Sequence, residues 1–234
     1  MNTDQISGVI DRILFSNQET GFSVFIVHSK KLEPTTVTGS FTNIQAGQEI
    51  HLQGSWGFHA KFGKQFQATS FTTALPTSTL GIQKYLGSGF IKGIGKVYAE
   101  KIVQQFGEKT LTIIDTRPDD LLLVSGLGQK RVERIKQSWI DQKYIAKIMV
   151  FLQEKGASAT YATKIYKKYG HDAIAKLSQD PYRLTDDVWG IGFKTADKIA
   201  QNMGFATGSV QRIQAGILFS LKQASNHGHV YQNV

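Results

Sequence analysis

The sequence predicts an α+β chain of several domains: a small closed all-β barrel over residues 1–76, then an all-α stretch of repeated helical units. Two observations predict it. Apolar residues alternate with period two up to residue 75 and recur with the helical period of 3.6 beyond residue 76. The helical stretch also repeats itself. Ala99, Ile102, Phe106, Gly107 and Pro118 recur as Ala162, Ile165, Tyr169, Gly170 and Pro181, at a constant offset of 63.

Five strands account for the first part. Residues 6–15 and 22–27 are rich in β-branched and aromatic side chains, and residues 36–41, 49–56 and 64–75 alternate. Turn residues separate them at Asn17 to Gly21, Ala46-Gly47 and Gly57 to Gly63. Five short strands so spaced suit a small barrel, of which the oligonucleotide-binding (OB) type is a common example. Pro76 marks the break, and no strand is expected beyond it.

The helical part reads as two copies of one unit, residues 84–141 and 147–203. Ala99, Ile102, Val103 and Phe106 form one apolar helical face, and Ile145, Ile148, Met149 and Leu152 another. Duplication at this period points to stacked helical modules with a shared core. The expected division is a barrel at 1–76, helical repeats at 77–142 and 143–205, and a lead-out at 206–234 with a helix over 211–224. The segment 226–234 reads as the start of a further element, so the chain is expected to be the front part of a longer protein.

Charge separates the two parts. The formal net charge is +9. Residues 1–76 carry five Lys/Arg against five Asp/Glu, so the whole excess lies in the helical part. A basic block beside a neutral one suits a polyanionic partner for the helices. With no cysteine, disulfides and thiolate metal sites are excluded. No apolar run is long enough to span a membrane, and the N-terminus lacks the pattern of a signal peptide, so a cytoplasmic location is expected.

Three short segments share one pattern, Gly-apolar-Gly before a helix start: Lys92-Gly93-Ile94-Gly95-Lys96, Gly126-Leu127-Gly128-Gln129-Lys130-Arg131, and Gly190-Ile191-Gly192-Phe193-Lys194-Thr195. The glycines allow a tight turn and close approach of backbone to another molecule. The central Ile or Leu anchors the turn. The N–H groups of the following helix start then face outward, a setting that favours an anionic oxygen. Lys96, Lys130, Arg131 and Lys194 oppose the helix dipole, which suits a ligand-facing role better than a stabilising one. This is the helix-hairpin-helix pattern of sequence-independent binding to DNA phosphates, and all of these residues are candidate DNA contacts. The competing reading of each hairpin is a plain helix–helix turn. A fourth slot, Gly156-Ala157-Ser158, keeps one glycine and is expected to be structural.

Other chemistry fails on inspection. The phosphate-loop spacing is absent, Gly87-Ser88-Gly89 follows no strand, and His227-Gly228-His229 is too sparse for a metal. Asp119-Asp120 and Asp186-Asp187 read as helix starts in matching places of the two repeats. In the barrel, Phe58 to Phe66 interleaves aromatics with Lys61 and Lys64, which suits base stacking or docking to another protein.

The chain resembles the N-terminal region of bacterial RecD-like ATP-dependent DNA helicases over about residues 5 to 230. The resemblance rests on Gly21-Phe-Ser-Val24, Lys61-Phe-Gly-Lys-Gln-Phe66, the run Tyr85 to Gly95, and Val150-Phe-Leu-Gln153. Its most specific parts are Asp180-Pro-Tyr-Arg-Leu184 and the run Trp189 to Asp197. It implies a superfamily 1 motor moving 5′ to 3′ on DNA in repair or recombination, with ATP and Mg bound by motor domains absent from this sequence. No cofactor is expected in these residues. Their implied role is to bind or orient single-stranded or forked DNA, or to recruit another replication or repair protein through the barrel.

Overall fold

The computed structural model describes residues 4–17, 20–29 and 33–226. His227, His229 and the rest of the 227–234 segment lie outside them. The chain divides into two compact units, residues 1–142 and 143–234.

The first unit begins with β1 (Asp4–Ser16), β2 (Phe22–His28), β3 (Thr35–Ser40), β4 (Glu49–His59) and β5 (Gly63–Ala74). They close into a barrel in the order β1-β2-β3-β5-β4, antiparallel except where β3 runs parallel to β5. Alternation drives the closure. Ile6, Ile10, Phe25, Val27, Val37, Ile50, Leu52 and Phe66 point inward and are buried, with Phe41 just past β3. β1 reaches two partners. Its first half pairs with β4 and its second with β2, and register shifts after Ile10 and Ile13 bend it between them. Among the described residues no strand follows Ala74.

The barrel rests on α1 (Thr79–Gly87). A side chain at Gly47 would lie 2.2 Å from the Gly81 carbonyl oxygen, so only glycine permits the approach. Lys84 of α1 donates to Asp11 of β1 and holds that carboxyl below its ordinary range. After α1 come α2 (Lys96–Phe106), α3 (Thr110–Thr116), a 3-10 turn at Pro118–Leu123 and α4 (Gln129–Glu154). Ile82, Leu86, Ile91, Ile102, Ile114, Leu121 and Ile135 form their core.

The second unit takes the latter half of α4, then α5 (Ala162–Tyr169), α6 (Ala173–Gln179), α7 (Leu184–Asp187), α8 (Phe193–Asn202) and α9 (Val210–Asn226). Its core repeats the first: Leu152, Ile165, Leu177, Leu184 and Ile199. At the offset of 63, Gly107–Lys109 and Thr110–Thr116 recur as Gly170–Asp172 and Ala173–Gln179, and the turns between helices match down to local angles. Gly107 has φ 56, ψ −135, and Gly170 has φ 60, ψ −138.

The one-residue slip late in the repeat has a physical cause. The Val124 amide bonds to the Leu121 carbonyl, a three-residue 3-10 turn, whereas Val188 bonds to Leu184, a four-residue α-turn. The insertion corrects the reading of the acidic pairs. In the repeat frame Asp119-Asp120 face Tyr182-Arg183, not Asp186-Asp187. The carboxylates also go to different partners. Asp119 binds Lys136 and Asp120 binds Arg117, while Asp186 binds Lys222 and Asp187 binds Tyr169 and Lys168.

Candidate nucleic-acid interface

Each hairpin is built by one buried residue and one turn. Ile94, Leu127 and Ile191 are buried, and their amides bond back to the carbonyls of Ile91, Val124 and Val188. The first glycine of each hairpin has a left-handed φ: 99° at Gly93, 87° at Gly126 and 91° at Gly190. The fold therefore requires glycine there.

The second glycines differ. Gly95 and Gly192 are the N-caps of α2 and α8, with ordinary φ of −102° and −91° and no side-chain cap. A Cβ at Gly95, Gly128 or Gly192 would meet nothing within 4 Å. Nothing inside the protein demands glycine at these three places. Their absent side chains leave the first two amides of each helix without a side-chain cap, while the third amide in α4 and α8, that of Arg131 and of Thr195, bonds back to the Gly128 and Gly192 carbonyls. In the fourth slot the corresponding residue is Ser158, whose Oγ accepts from the Thr160 amide at 3.3 Å. There the donor is spent inside the fold.

The hairpins of each unit brace one another. Lys101 Nζ donates to the Ser125 carbonyl at 3.2 Å, and Lys164 Nζ to the Trp189 carbonyl at 3.3 Å. In the first unit the Lys92 amide donates to Ser138 Oγ at 2.9 Å. In the second, Asn202 Nδ2 donates to the Lys155 carbonyl at 2.9 Å. Each ties the segment before a first-slot glycine to the far helix. Sequence reasoning missed these residues. For the lysines a signal exists: Tyr98-Ala-Glu-Lys101 recurs as Tyr161-Ala-Thr-Lys164 at the same offset.

The expected contact residues thus divide. Lys92, Gly95, Lys96, Gly128, Gln129, Lys130, Gly192 and Lys194 are exposed. No carboxylate pairs with Lys96, Lys130 or Lys194 among the described residues. Gly93, Gly126 and Gly190 shape the backbone. Ile94, Leu127 and Ile191 are core residues and offer only main-chain groups. Phe193 is half-buried between the rings of Tyr182 and Phe219, so it packs instead of facing a ligand. Arg131 lays its guanidinium 4.1 Å from the Tyr98 ring centre, with Nη1 buried, while Thr195 is half-buried.

Behind the third hairpin, Asp197 accepts from Tyr182 Oη at 2.7 Å, Gln201 Nε2 at 2.8 Å and Arg212 Nε at 2.8 Å. The Arg212 bond holds this carboxyl below its ordinary range. Burial, then the bond to Asp197, pushes the Tyr182 hydroxyl up to about 12. The network pins α9 to α8.

In the barrel, Phe58 and Phe62 are exposed at the β4–β5 tip, with Lys61 over the Phe62 ring. Phe66 is wholly buried and leaves the expected aromatic surface. Lys64 lies over Trp56, 4.3 Å from its ring centre. Among the described residues, no group of side chains could hold a metal ion, and no helix is long and apolar enough to cross a membrane.

Residues 3–76 match the family described as ATP-dependent DNA helicase YrrC, OB-fold domain. Residues 88–140 match the SAM-like helix-hairpin-helix tandem, and residues 141–231 the ATP-dependent RecD2 DNA helicase HHH domain. The barrel and the second helical unit are thus similar to the OB-fold and helix-hairpin-helix domains of RecD-like helicases. The chain is similar to the ATP-dependent RecD2 DNA helicase of Deinococcus radiodurans, 28% identical over 235 residues, which cover 97% of this chain and 32% of that protein. The chain thus spans about a third of the length of that RecD2 helicase. Both RecD-like domain types are typical DNA-binding modules, which makes DNA the expected class of partner.

Proposed function

We propose that this chain is the DNA-gripping region of an ATP-dependent 5′–3′ helicase of repair or recombination, and that its hairpins hold phosphates without reading bases. One observation carries the reading. Gly95, Gly128 and Gly192 are needed by nothing in the fold, yet each leaves a helix start open beside an unpaired lysine. A phosphate oxygen takes bare N–H donors of this kind. In this reading the motor that uses ATP and Mg lies in the part of the longer protein outside these residues. The division into a barrel at 1–76 and helical domains at 77–142 and 143–205 belongs to the same reading. The test is binding of the chain to labelled single-stranded, duplex and forked DNA across a salt series. Affinity that falls steeply with salt is the expected result. No binding at low salt would remove the grip.

A second reading applies to the barrel. Its neutrality, with Phe58 80% and Phe62 63% exposed, suits docking of a replication or repair protein. A barrel variant Phe58→Ser/Phe62→Ser that keeps full DNA affinity but loses capture of such a partner would support it.

A further inference from the structure

The most exposed large hydrophobic side chain among the described residues of the second helical unit is Trp189, at 80%. It immediately precedes Gly190 in the third hairpin. A tryptophan this open is unusual, because its ring carries the largest apolar area of any side chain. Its backbone is fixed on both sides. Val188 and Ile191 are buried, and Lys164 Nζ holds the Trp189 carbonyl at 3.3 Å. Lys164 Nζ also lies 4.9 Å from the ring centre, which places a cation on one face of the indole and leaves the other open. The nearby carboxylates are committed elsewhere, Asp186 to Lys222, Asp187 to Lys168 and Tyr169, Asp197 to Arg212.

Three peptide steps, at most about 11 Å, separate the Trp189 Cα from that of Gly192, where the open helix start lies. That is nucleotide scale. A strand whose phosphate sits at the Gly192 and Lys194 amides brings an adjacent base to the indole. Only an unstacked base can use it, since bases inside a duplex already stack on their neighbours. In the first unit the corresponding residue is Ser125, so the second hairpin there can grip backbone alone.

We propose that Trp189 is a base-stacking residue that makes the 190–192 hairpin a site for single-stranded DNA. The proposal rests on the phosphate-gripping reading above and adds strand specificity to it. Stacking on an aromatic ring carries no base preference, so the site accepts any sequence.

The test measures binding of the 234-residue chain to oligo(dT), to an oligonucleotide of the same length with abasic sites, and to duplex DNA. Trp189→Ala is expected to weaken oligo(dT) binding about 5- to 100-fold and to leave duplex binding unchanged. The wild type is expected to discriminate oligo(dT) from the abasic strand by a similar factor, and Trp189→Ala to bind both alike. Trp189→Phe keeps a stacking ring and restores most of the affinity. Tryptophan fluorescence is quenched by oligo(dT) in the wild type and not in Trp189→Phe. If Trp189→Ala binds oligo(dT) like the wild type while Lys194→Glu does not, the grip stands and the stacking role is overturned, leaving the indole to a protein contact. If the wild type binds no DNA at all, both fall together.

Discussion

Two glycines two residues apart in the third hairpin should respond to the same substitution with opposite signs. Gly192→Ser places a hydroxyl at an N-cap of extended conformation, φ −91°, with open space around its Cβ. The protein already contains the outcome, because Ser158 occupies the matching position and caps its own helix start. Serine gains a few tenths of a kcal/mol over glycine as an N-cap, and loss of glycine freedom from the unfolded chain adds about 0.4–1 kcal/mol. Gly192→Ser should therefore stabilise the second unit by roughly 0.5–1.5 kcal/mol, a rise in Tm of about 2–10 °C. The same hydroxyl takes the N–H meant for phosphate. Loss of one charge-assisted hydrogen bond costs about 1.5–3 kcal/mol, or roughly a tenfold to hundredfold loss of DNA affinity. Gly190→Ser enters a φ of 91° and should destabilise by about 1–2 kcal/mol. Calorimetry and fluorescence anisotropy on the same samples separate the effects. A Gly192→Ser protein that melts higher and binds DNA as tightly as the wild type would refute the argument that these second glycines exist for a ligand.

Further outcomes follow from the same geometry. Neutralising Lys96, Lys130 and Lys194 to Gln should lower the slope of log affinity against log salt by about 2 on single strands, so a fourfold rise in salt costs about 16-fold less affinity than in the wild type; an unchanged slope would detach these lysines from phosphate. Asp187 is held below the ordinary carboxylate range first by the Tyr169 hydrogen bond, and Asp197 first by that of Arg212, so their stabilisation is present above the unfolded value near 4 and is lost as pH falls through the folded values. Asp197→Asn should flatten the acid limb of stability followed by circular dichroism between about pH 2 and 5, and an unaltered limb would mean the network contributes nothing there. Lys164→Met should loosen the third hairpin and weaken DNA binding while Lys101→Met leaves that hairpin unaffected, read by amide exchange at Gly190 to Gly192.

The barrel was legible because one face of every strand is buried. Alternation then marks most strand ends within a residue or two, as at residues 64–75 against Gly63–Ala74, with the end of Glu49–His59 three residues beyond the expected 56. The hairpins were legible because a left-handed turn leaves a glycine and its anchor leaves an apolar neighbour. The braces were harder. Lys101 and Lys164 recur in register, but Ser138 and Asn202 serve one purpose with different side chains and opposite hydrogen-bond roles, so no pattern of residue types joins them. The acidic pairs misled for another reason. Their resemblance as dipeptides hid the change from a 3-10 to an α-turn, and only hydrogen bonds reveal where the extra residue enters. Trp189 stood beside a recognised motif, yet sequence alone could not distinguish a packed indole from an open one.

Duplication explains why the same backbone supports different jobs. Each helical unit needs the apolar anchors, left-handed glycines and cross-braces simply to close, so these recur in both. The positions that vary are those the fold does not constrain. Gly95 against Ser158 exchanges an open helix start for a self-capped one. Ser125 against Trp189 exchanges a small polar residue for an exposed ring. Both changes occur at sites without internal packing demands, so each can alter what the unit binds at little cost to its stability. The first unit keeps two open hairpins with no exposed indole beside either, and the second keeps one open hairpin and gains an indole beside it. On physical grounds that is how a repeat specialises: the core is conserved by packing, and the contact surface is free to diverge one hairpin at a time.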